Sequence, residues 1–422
     1  MARSPRPLAT ALALGLLAGA LGGCGALRRM AGNDTISLEK AEVKSMSVDI
    51  RRQQKTICPR APVQMGVFAE VVLEGDKAPK PVETWVGHGD TNKNDKLDFA
   101  DFAFHSEQGS FDRDGWFTPV PNLLVTAGKE YEIKSVYKRR PDKFSFTTTY
   151  KPDYACIKEG GGGGASGQSG APGSEGAAGR PGAAGSPTTA GGEGGDGANG
   201  TGGGSGTEGG PGPHLVLSAT LVKTPFYARL VAISIDGDQK DFLLVPEGAS
   251  VVIHAAGGAG GSGGPGGRGG AGGFGGAGNP GGRGGKGGAG GSGGQGGNGG
   301  PGGTIEYVYD ASHPELRTVV QLDVGGGSAG SGGPGGGAGT GGTGGGALSP
   351  PNLPPAVGRS STNTTPSTNV QPQQAGTAGP GGPEGVAGAG GTAGRQGPAG
   401  RASAAPGDVK SKFAGQAEIT PL

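Results

Sequence analysis

Short runs in which hydrophobic and polar residues alternate occupy two separate parts of the chain. Alternation with a period of two is typical of β-strands that bury one face. In the first part the runs are 64–73, 82–87, 97–104, 115–120, 131–138 and 143–150. Turn-forming residues separate these runs, and six or seven short strands between residues 44 and 158 predict a β-sandwich domain there.

The second set of alternating runs begins at His214 and continues on both sides of a long glycine tract. These runs are 214–223, 228–236, 241–245, 250–256, 304–310 and 317–324. They predict a small β-module over 214–347 that carries glycine-rich insertions. The module has few apolar residues, so we expect its stability to depend on the glycine segments or on a partner. The chain as a whole is expected to be mainly β.

Glycine accounts for 100 of the 422 residues, which is far above the usual share of about 7%. From Gly257 to Gly302 every third residue is glycine, and the residue that follows is nearly always glycine too. The same period runs through the segment 159–213, through 327–345 and through 376–400. A flexible linker and the expansion of a codon repeat are the simpler explanations of such tracts.

A period of three also matches a helix with three residues per turn and a rise of about 3.1 Å per residue. Each residue of a triplet then lies along its own edge of the helix, and an edge of glycines is bare backbone. Bare edges let neighbouring helices approach until their N–H and C=O groups bond. We therefore expect rods of three to five triplets joined by turns, with one reversal at 277–280.

Charge supports packing between two of these tracts. Segment 161–213 carries four acidic residues and one basic residue, whereas 257–304 carries three basic residues. Opposite charges stabilise exposed contacts by a few tenths of a kcal/mol per pair.

The triplets resemble two known architectures. The Gly-Gly-x pattern of 257–302 is similar to the polyglycine II bundles of a springtail antifreeze protein and of some phage tail adhesins, which implies a folded monomer. The segment 376–407, with Pro380, Pro383 and Pro398 among its Gly-x-y triplets, resembles collagen, which implies a trimer. Between them, 348–375 is predicted to be a disordered Pro/Ser/Thr-rich linker, and 408–422 is a short tail.

The N-terminus has the pattern of an export signal. Arg3 and Arg6 precede an apolar stretch, 8–21, that is too short to span a membrane. The following Leu21–Cys24 resembles the lipobox of bacterial lipoproteins. The resemblance implies a signal peptide at 1–23, a lipid on Cys24 and a tether over 24–43. Because Gly25 follows Cys24, it also implies that the protein lies in the outer membrane of a Gram-negative cell, at the cell surface. An ordinary cleaved signal peptide is the alternative.

Two cysteines remain beyond Cys24, and they bracket the predicted sandwich. In an oxidising compartment, Cys58 and Cys156 are expected to form a disulfide. Closing such a loop would contribute about 4–5 kcal/mol in the chain-entropy model. Two free buried thiols are the alternative.

One stretch, 90–101, resembles a calcium loop of the EF-hand or dockerin type. The candidate ligands are Asp90, Asn92, Asn94, the carbonyl of Lys96, Asp98 and Asp101. Hard oxygen ligands at this spacing suit Ca²⁺. Asp95 stands where the turn glycine is expected, Asp101 replaces the usual Glu, and the flanking runs read as strands. A solvated hairpin turn is therefore the alternative.

Composition excludes several functional classes. A net charge of +1 argues against nucleic acid as a partner. The five histidines are scattered, and the chain has no GxSxG, HExxH or CxxC motif. We therefore expect a protein without catalytic residues or cofactor: a surface lipoprotein with a structural, adhesive or matrix role, bound to polysaccharide or other surface proteins. The alternative is a polysaccharide- or ice-binding module that is assisted by calcium.

Overall fold

Two hydrophobic cores organise the chain in the computed structural model, which describes residues 30–31, 34–39, 41–51, 55–85, 93–349, 377–416 and 418–422. The fold is mainly β, which confirms the expected fold class. The first core lies in the N-terminal sandwich and the second in the module that begins at His214.

Two sheets contribute to the first core. One contains β1 (Glu42–Ile50), β3 (Val63–Val72), β4 (Lys80–Glu83), β6 (Gly109–Phe111) and β7 (Trp116–Pro119). The other contains β2 (Thr56–Ile57), β5 (Phe102–His105), β8 (Tyr131–Tyr137) and β9 (Ser145–Pro152). Strand β8 shows the alternation directly, because Tyr131, Ile133 and Tyr137 are buried whereas Glu132 and Lys134 are exposed.

The sandwich differs from expectation in its details. Strands β1, β2 and β6 were not expected. The run 97–104 is divided into a 3₁₀ helix, Phe99–Asp101, and β5, because the Asp98 side chain accepts a hydrogen bond from the Ala100 N–H at 2.9 Å and starts the helix. Ile36, Leu38 and Ala41, in the stretch expected to be a tether, are buried in the sandwich core.

The second module contains a six-stranded and a three-stranded sheet. The larger has the order β13 (Asp241–Pro246), β12 (Leu230–Gly237), β11 (His214–Lys223), β15 (Thr304–Asp310) and β17 (Arg401–Gly407), with β18 (Thr420–Pro421) against β11. The smaller is parallel and has the order β10 (Glu159–Gly161), β14 (Val251–His254) and β16 (Val320–Asp323).

Short helices and the C-terminal tail complete the second core. The remaining 3₁₀ helices are Leu123–Val125, Tyr154–Cys156 and Pro314–Thr318. Helix α1 (Lys410–Phe413) lies in the tail and buries Phe413 in the second core. Leu123, Ala127, Tyr154 and Ile157 extend from the sandwich into the same core, so the two halves of the chain pack together.

The glycine tracts form six extended rods. We number them rod 1 (164–185), rod 2 (191–212), rod 3 (257–278), rod 4 (281–303), rod 5 (325–346) and rod 6 (377–400). At about 3.1 Å per residue, a rod of this length extends roughly 70 Å.

Backbone hydrogen bonds between rods hold the bundle together. Rods 1, 3 and 5 run parallel in one layer: Gly167 N–H donates to Ala259 O at 2.7 Å, and Gly260 N–H donates to Ser328 O at 2.8 Å. Rods 2, 4 and 6 form the second layer in the same way. Antiparallel bonds join the layers, as between Gly270 N–H and Ala198 O at 2.8 Å. The pattern repeats at every third residue, so the backbone amides of the bundle interior are paired.

The two sheets of the module continue directly into the two layers of rods. Strands β10, β14 and β16 lead into rods 1, 3 and 5, whereas rods 2, 4 and 6 lead back into β11, β15 and β17. Neighbouring segments keep the same alignment where the strands become rods. His214 lies beside Thr304 in the sheet, and Gly212 donates to Pro301 in the rods. The sheets therefore set the register of the bundle.

The place of a rod in the bundle explains how much glycine it contains. Rods 3 and 4 lie between the others and bond to both layers, and two residues of nearly every triplet are glycine there. Outer rods 1 and 6 need glycine at one position in three. A Cβ on Gly270 in rod 3 would lie 2.0 Å from the carbonyl oxygen of Ala177, which no relaxation could accommodate without parting the rods.

Several expectations about the tracts are now resolved. The reversal at 277–280 is present, and residues 186–189 form another. The rods contain seven or eight in-frame glycines rather than three to five triplets. The collagen-like segment is rod 6 followed by β17, and its glycines donate to rod 5 of the same chain, as from Gly382 to Gly342 at 2.8 Å. Most of the expected linker, namely 350–375 out of 348–375, lies outside the described residues.

A pair of glycine substitutions tests this packing. We expect Gly270→Ala to lower the free energy of unfolding of the module by at least about 1–3 kcal/mol, because the new methyl group forces two rods apart. The matched control is Gly337→Ala in rod 5, where the nearest atom to an added Cβ is Arg268 Cγ at 3.9 Å. Thermal unfolding of both variants measures the difference. Equal stability of the two variants would contradict the bundle.

Candidate functional site

One outer surface of the bundle consists almost entirely of small side chains. It is formed by the outward residues of rods 1, 3 and 5, and we call it the small-residue face. Equivalent residues lie side by side: Ser262 Oγ donates to Ser169 Oγ at 2.9 Å. Pro172, Pro265 and Pro334 occupy the next level. The larger exposed side chains on rods 1 and 3 are Gln168, Glu175, Arg180, Arg268 and the 62% exposed Phe274.

The opposite surface, formed by the outward residues of rods 2, 4 and 6, is the charged face. Here Asp196 accepts from the Lys286 N–H at 2.7 Å and Asn199 accepts from the Ala289 N–H at 2.8 Å. Asn298 accepts likewise from the Arg395 N–H at 2.9 Å. These side chains satisfy amides that the three-residue period leaves pointing to solvent. The oppositely charged tracts therefore do pack against each other.

The reversals meet at the end of the bundle that is distant from the sheets. Asn279 N–H donates to Thr189 O at 2.9 Å, and the Asn279 side chain donates to Pro187 O at 3.2 Å. Leu348 N–H donates to Gly278 O at 2.8 Å. This tip is polar, and Thr188 and Thr189 are exposed on it.

A histidine lies between two carboxylates where the parallel sheet becomes rods. His254 Nδ1 is 2.8 Å from Asp323 Oδ2, and its Nε2 is 3.7 Å from Glu159 Oε2. The Gly325 N–H and then His254 hold the pKa of the Asp323 carboxyl below its usual range. This row joins β10, β14 and β16 across the sheet surface.

The N-terminal sandwich carries a cleft of about 860 Å³, which we call the aromatic cleft. Its walls include Phe104 and Phe111, whose rings stack with centroids 5.3 Å apart and an interplanar angle of 28°. Lys93 Nζ lies 4.2 Å from the centre of the Trp85 ring. The turn 112–115 forms the rim and is held by Asp112 Oδ1, which accepts from the Asp114 and Trp116 N–H groups at 2.9 Å each. No motif in the sequence marks this cleft.

The predicted cysteine sites have different outcomes. The Cys58–Cys156 disulfide is present, which confirms the pairing. It links the end of β2 to the 3₁₀ helix Tyr154–Cys156, beside the contact between the two cores. The predicted signal peptide and the lipidation site Cys24 lie outside the described residues, and within those residues no helix is long and apolar enough to cross a membrane.

The residues proposed to bind calcium are only partly within the described structure, since Asp90 and Asn92 lie outside it. The Asn94 side chain accepts from the Asp34 N–H at 2.9 Å, and the Lys96 carbonyl accepts from the Ile36 N–H at 2.8 Å. Asp98 caps the 3₁₀ helix, and Asp101 lies 3.6 Å from Arg139.

All four groups make contacts within the fold, and the calcium loop stays a prediction because two of its six proposed ligands lie outside the described residues. Burial raises the pKa of the Asp101 carboxyl, and the nearby Arg139 guanidinium opposes this shift. Across the described ranges, no group of three His, Cys, Asp or Glu side chains is placed to hold a metal ion.

Comparison of the chain with known protein families, with curated proteins and with solved structures finds no match. The features that bear on function are therefore the chain's own surfaces.

Calcium gives a direct test of the loop. Because the described oxygens already accept hydrogen bonds within the fold, we expect millimolar Ca²⁺ to leave the Tm of the protein unchanged. Differential scanning calorimetry with and without Ca²⁺ measures this. A rise in Tm that Asp98→Asn abolishes, but that Asp142→Asn at an exposed turn preserves, would instead establish a calcium site.

Proposed function

We propose that the protein is a non-enzymatic surface lipoprotein with a structural and adhesive role. In this proposal the lipid on Cys24 anchors the chain in the outer membrane of a Gram-negative cell. The β-sandwich follows the anchor, and the bundle presents two large faces and a tip to the surroundings.

The observation that carries the proposal is the continuity of the sheets with the six rods. A flexible glycine chain would transmit no fixed geometry, whereas a bundle bonded at every third residue is stiff over roughly 70 Å. Such a body suits contact at a distance from its attachment point. The disulfide, which suits an oxidising compartment, supports an address outside the cytoplasm.

The anchoring and display can be tested with a single cysteine at the tip. Thr188→Cys adds an exposed thiol to a chain whose Cys58 and Cys156 are paired. We expect a membrane-impermeant maleimide to label this variant on intact cells and to leave the parent chain unlabelled. Cys24→Ala should move the protein from the membrane fraction to the soluble fraction. Labelling that requires cell lysis would contradict surface display.

A second candidate function is ice binding, which the small-residue face favours. Its rods place Ala, Ser, Thr, Pro and Gly in aligned rows on one flat surface, with few protrusions. A flat and regular surface of small groups is complementary to a crystalline ligand.

Matched substitutions on the two faces test this second candidate. If the small-residue face binds ice, Ala271→Tyr should remove thermal hysteresis, because a large ring prevents flat contact. Ala289→Tyr on the charged face is the control and should preserve it. The absence of thermal hysteresis in the parent protein would eliminate ice as the ligand.

A further inference from the structure

We propose that the aromatic cleft of the N-terminal sandwich binds an uncharged oligosaccharide. The proposal names the class of ligand for the adhesive role, and it therefore rests on the proposed function. Its test uses purified protein, so its outcome does not depend on where the protein is displayed.

Aromatic surface is the first observation. Phe104 and Phe111 are half-buried: they pack against the sandwich core and also line the cleft. The ring of Phe99, 6.2 Å from that of Phe104, forms the floor behind them. Flat aromatic surfaces pack well against the C–H faces of pyranose rings, and a pocket of several hundred Å³ holds more than one such ring.

Charge balance is the second observation. Lys93, Arg113 and Lys138 line the cleft together with Asp98, Asp112 and Asp114, so positive and negative groups are equal in number. A polyanion would meet three carboxylates, and a polycation would meet three basic groups. A polyhydroxylated neutral ligand finds donors and acceptors for its hydroxyls without an unpaired charge.

Rigidity is the third observation. Lys138 Nζ donates to Ala100 O at 2.8 Å, and Asp98 is fixed by its bond to the Ala100 N–H. Gly115 has a φ of +75°, and a Cβ there would lie 2.3 Å from the Phe99 ring. This close approach holds the rim turn against the aromatic floor.

Two charged groups on that turn are not used by the fold. Among the described residues, neither the Asp114 carboxylate nor the Arg113 guanidinium has an ion-pair partner, and Asp114 contributes only its backbone, whose carbonyl accepts from Gln64 Nε2 at 3.0 Å. A preorganised rim with free hydrogen-bonding groups beside aromatic rings is the pattern of a binding site.

The test is binding of defined hexasaccharides to the mature chain carrying Cys24→Ser. Isothermal titration calorimetry would compare cellohexaose and chitohexaose, which are uncharged, with the anionic hexagalacturonate and the cationic chitosan hexamer. We expect at least one uncharged hexasaccharide to bind more tightly than both charged ones.

Variants locate the site. Asp114→Asn should raise the Kd of the bound sugar at least about tenfold, because it replaces a charged acceptor with a weaker neutral one and leaves the turn's backbone bonds in place. Phe104→Ala should weaken binding similarly by removing ring surface. The controls are Asp142→Asn and Phe274→Ala, exposed residues outside the cleft, and they should leave the Kd unchanged.

Three results would overturn the proposal: no binding of either uncharged sugar, tighter binding of a charged one, or an unchanged Kd in Asp114→Asn. The last does not depend on whether Phe104→Ala folds, since the Asp114 side chain makes no bond within the sandwich.

Discussion

The architecture depends on hydrogen bonds between backbones that have no side chain to keep them apart. An extended rod with three residues per turn makes no hydrogen bond within itself, so each of its amides must find a partner elsewhere. In this bundle the partners are the carbonyls of neighbouring rods, at distances near 2.8 Å. Glycine normally destabilises ordered structure through its conformational entropy. Here that cost is offset by close contact along the whole rod, which no other residue permits.

Hydrophobic packing and glycine packing support each other in the second module. The sheets bury Leu217, Ile233, Leu244 and Ile253 completely, and this core aligns the strands that lead into the rods. The rods in turn connect strands that are distant in sequence, such as β14 and β15. We expect neither part to be stable alone, because the module has a small core and an isolated rod has no hydrogen-bond partners.

Residue patterns in the sequence predict much of the fold. The rest of the fold depends on contacts between residues that are distant in the sequence. The period of three indicated three-residue helices, and the 277–280 reversal has Asn279 and Pro280, which are typical turn residues. The length of the rods was underestimated because their stability comes from partners up to 97 residues away, such as Asn298 and Arg395, and not from the tract itself. The alternating runs predicted the longer strands. Strand β1 was missed because its burial follows no regular alternation, from Glu42 to Ile50.

The candidate sites, too, could be predicted only where residues near one another in the sequence, or few alternatives, point to them. Cys58 and Cys156 could be paired by elimination, since few cysteines were available. The aromatic cleft combines Trp85 after β4, the 3₁₀ helix Phe99–Asp101, β5 and the turn after β6, so no local motif marks it. The calcium-loop spacing was visible in the sequence. The hydrogen bonds that Asn94 and Lys96 accept from the segment 34–36, however, join residues 60 positions apart, which no short motif reveals.

The shared register of the rods has a consequence for how the gene can change. A one-residue insertion in rod 3 would rotate every later side chain by a third of a turn and drive it into a neighbour's carbonyls. An insertion of three residues keeps the bare edges facing inward and displaces only the reversal that follows. Length variation in these tracts is therefore restricted to steps of nine nucleotides, and a lengthened rod needs a matching change in the rod that returns beside it.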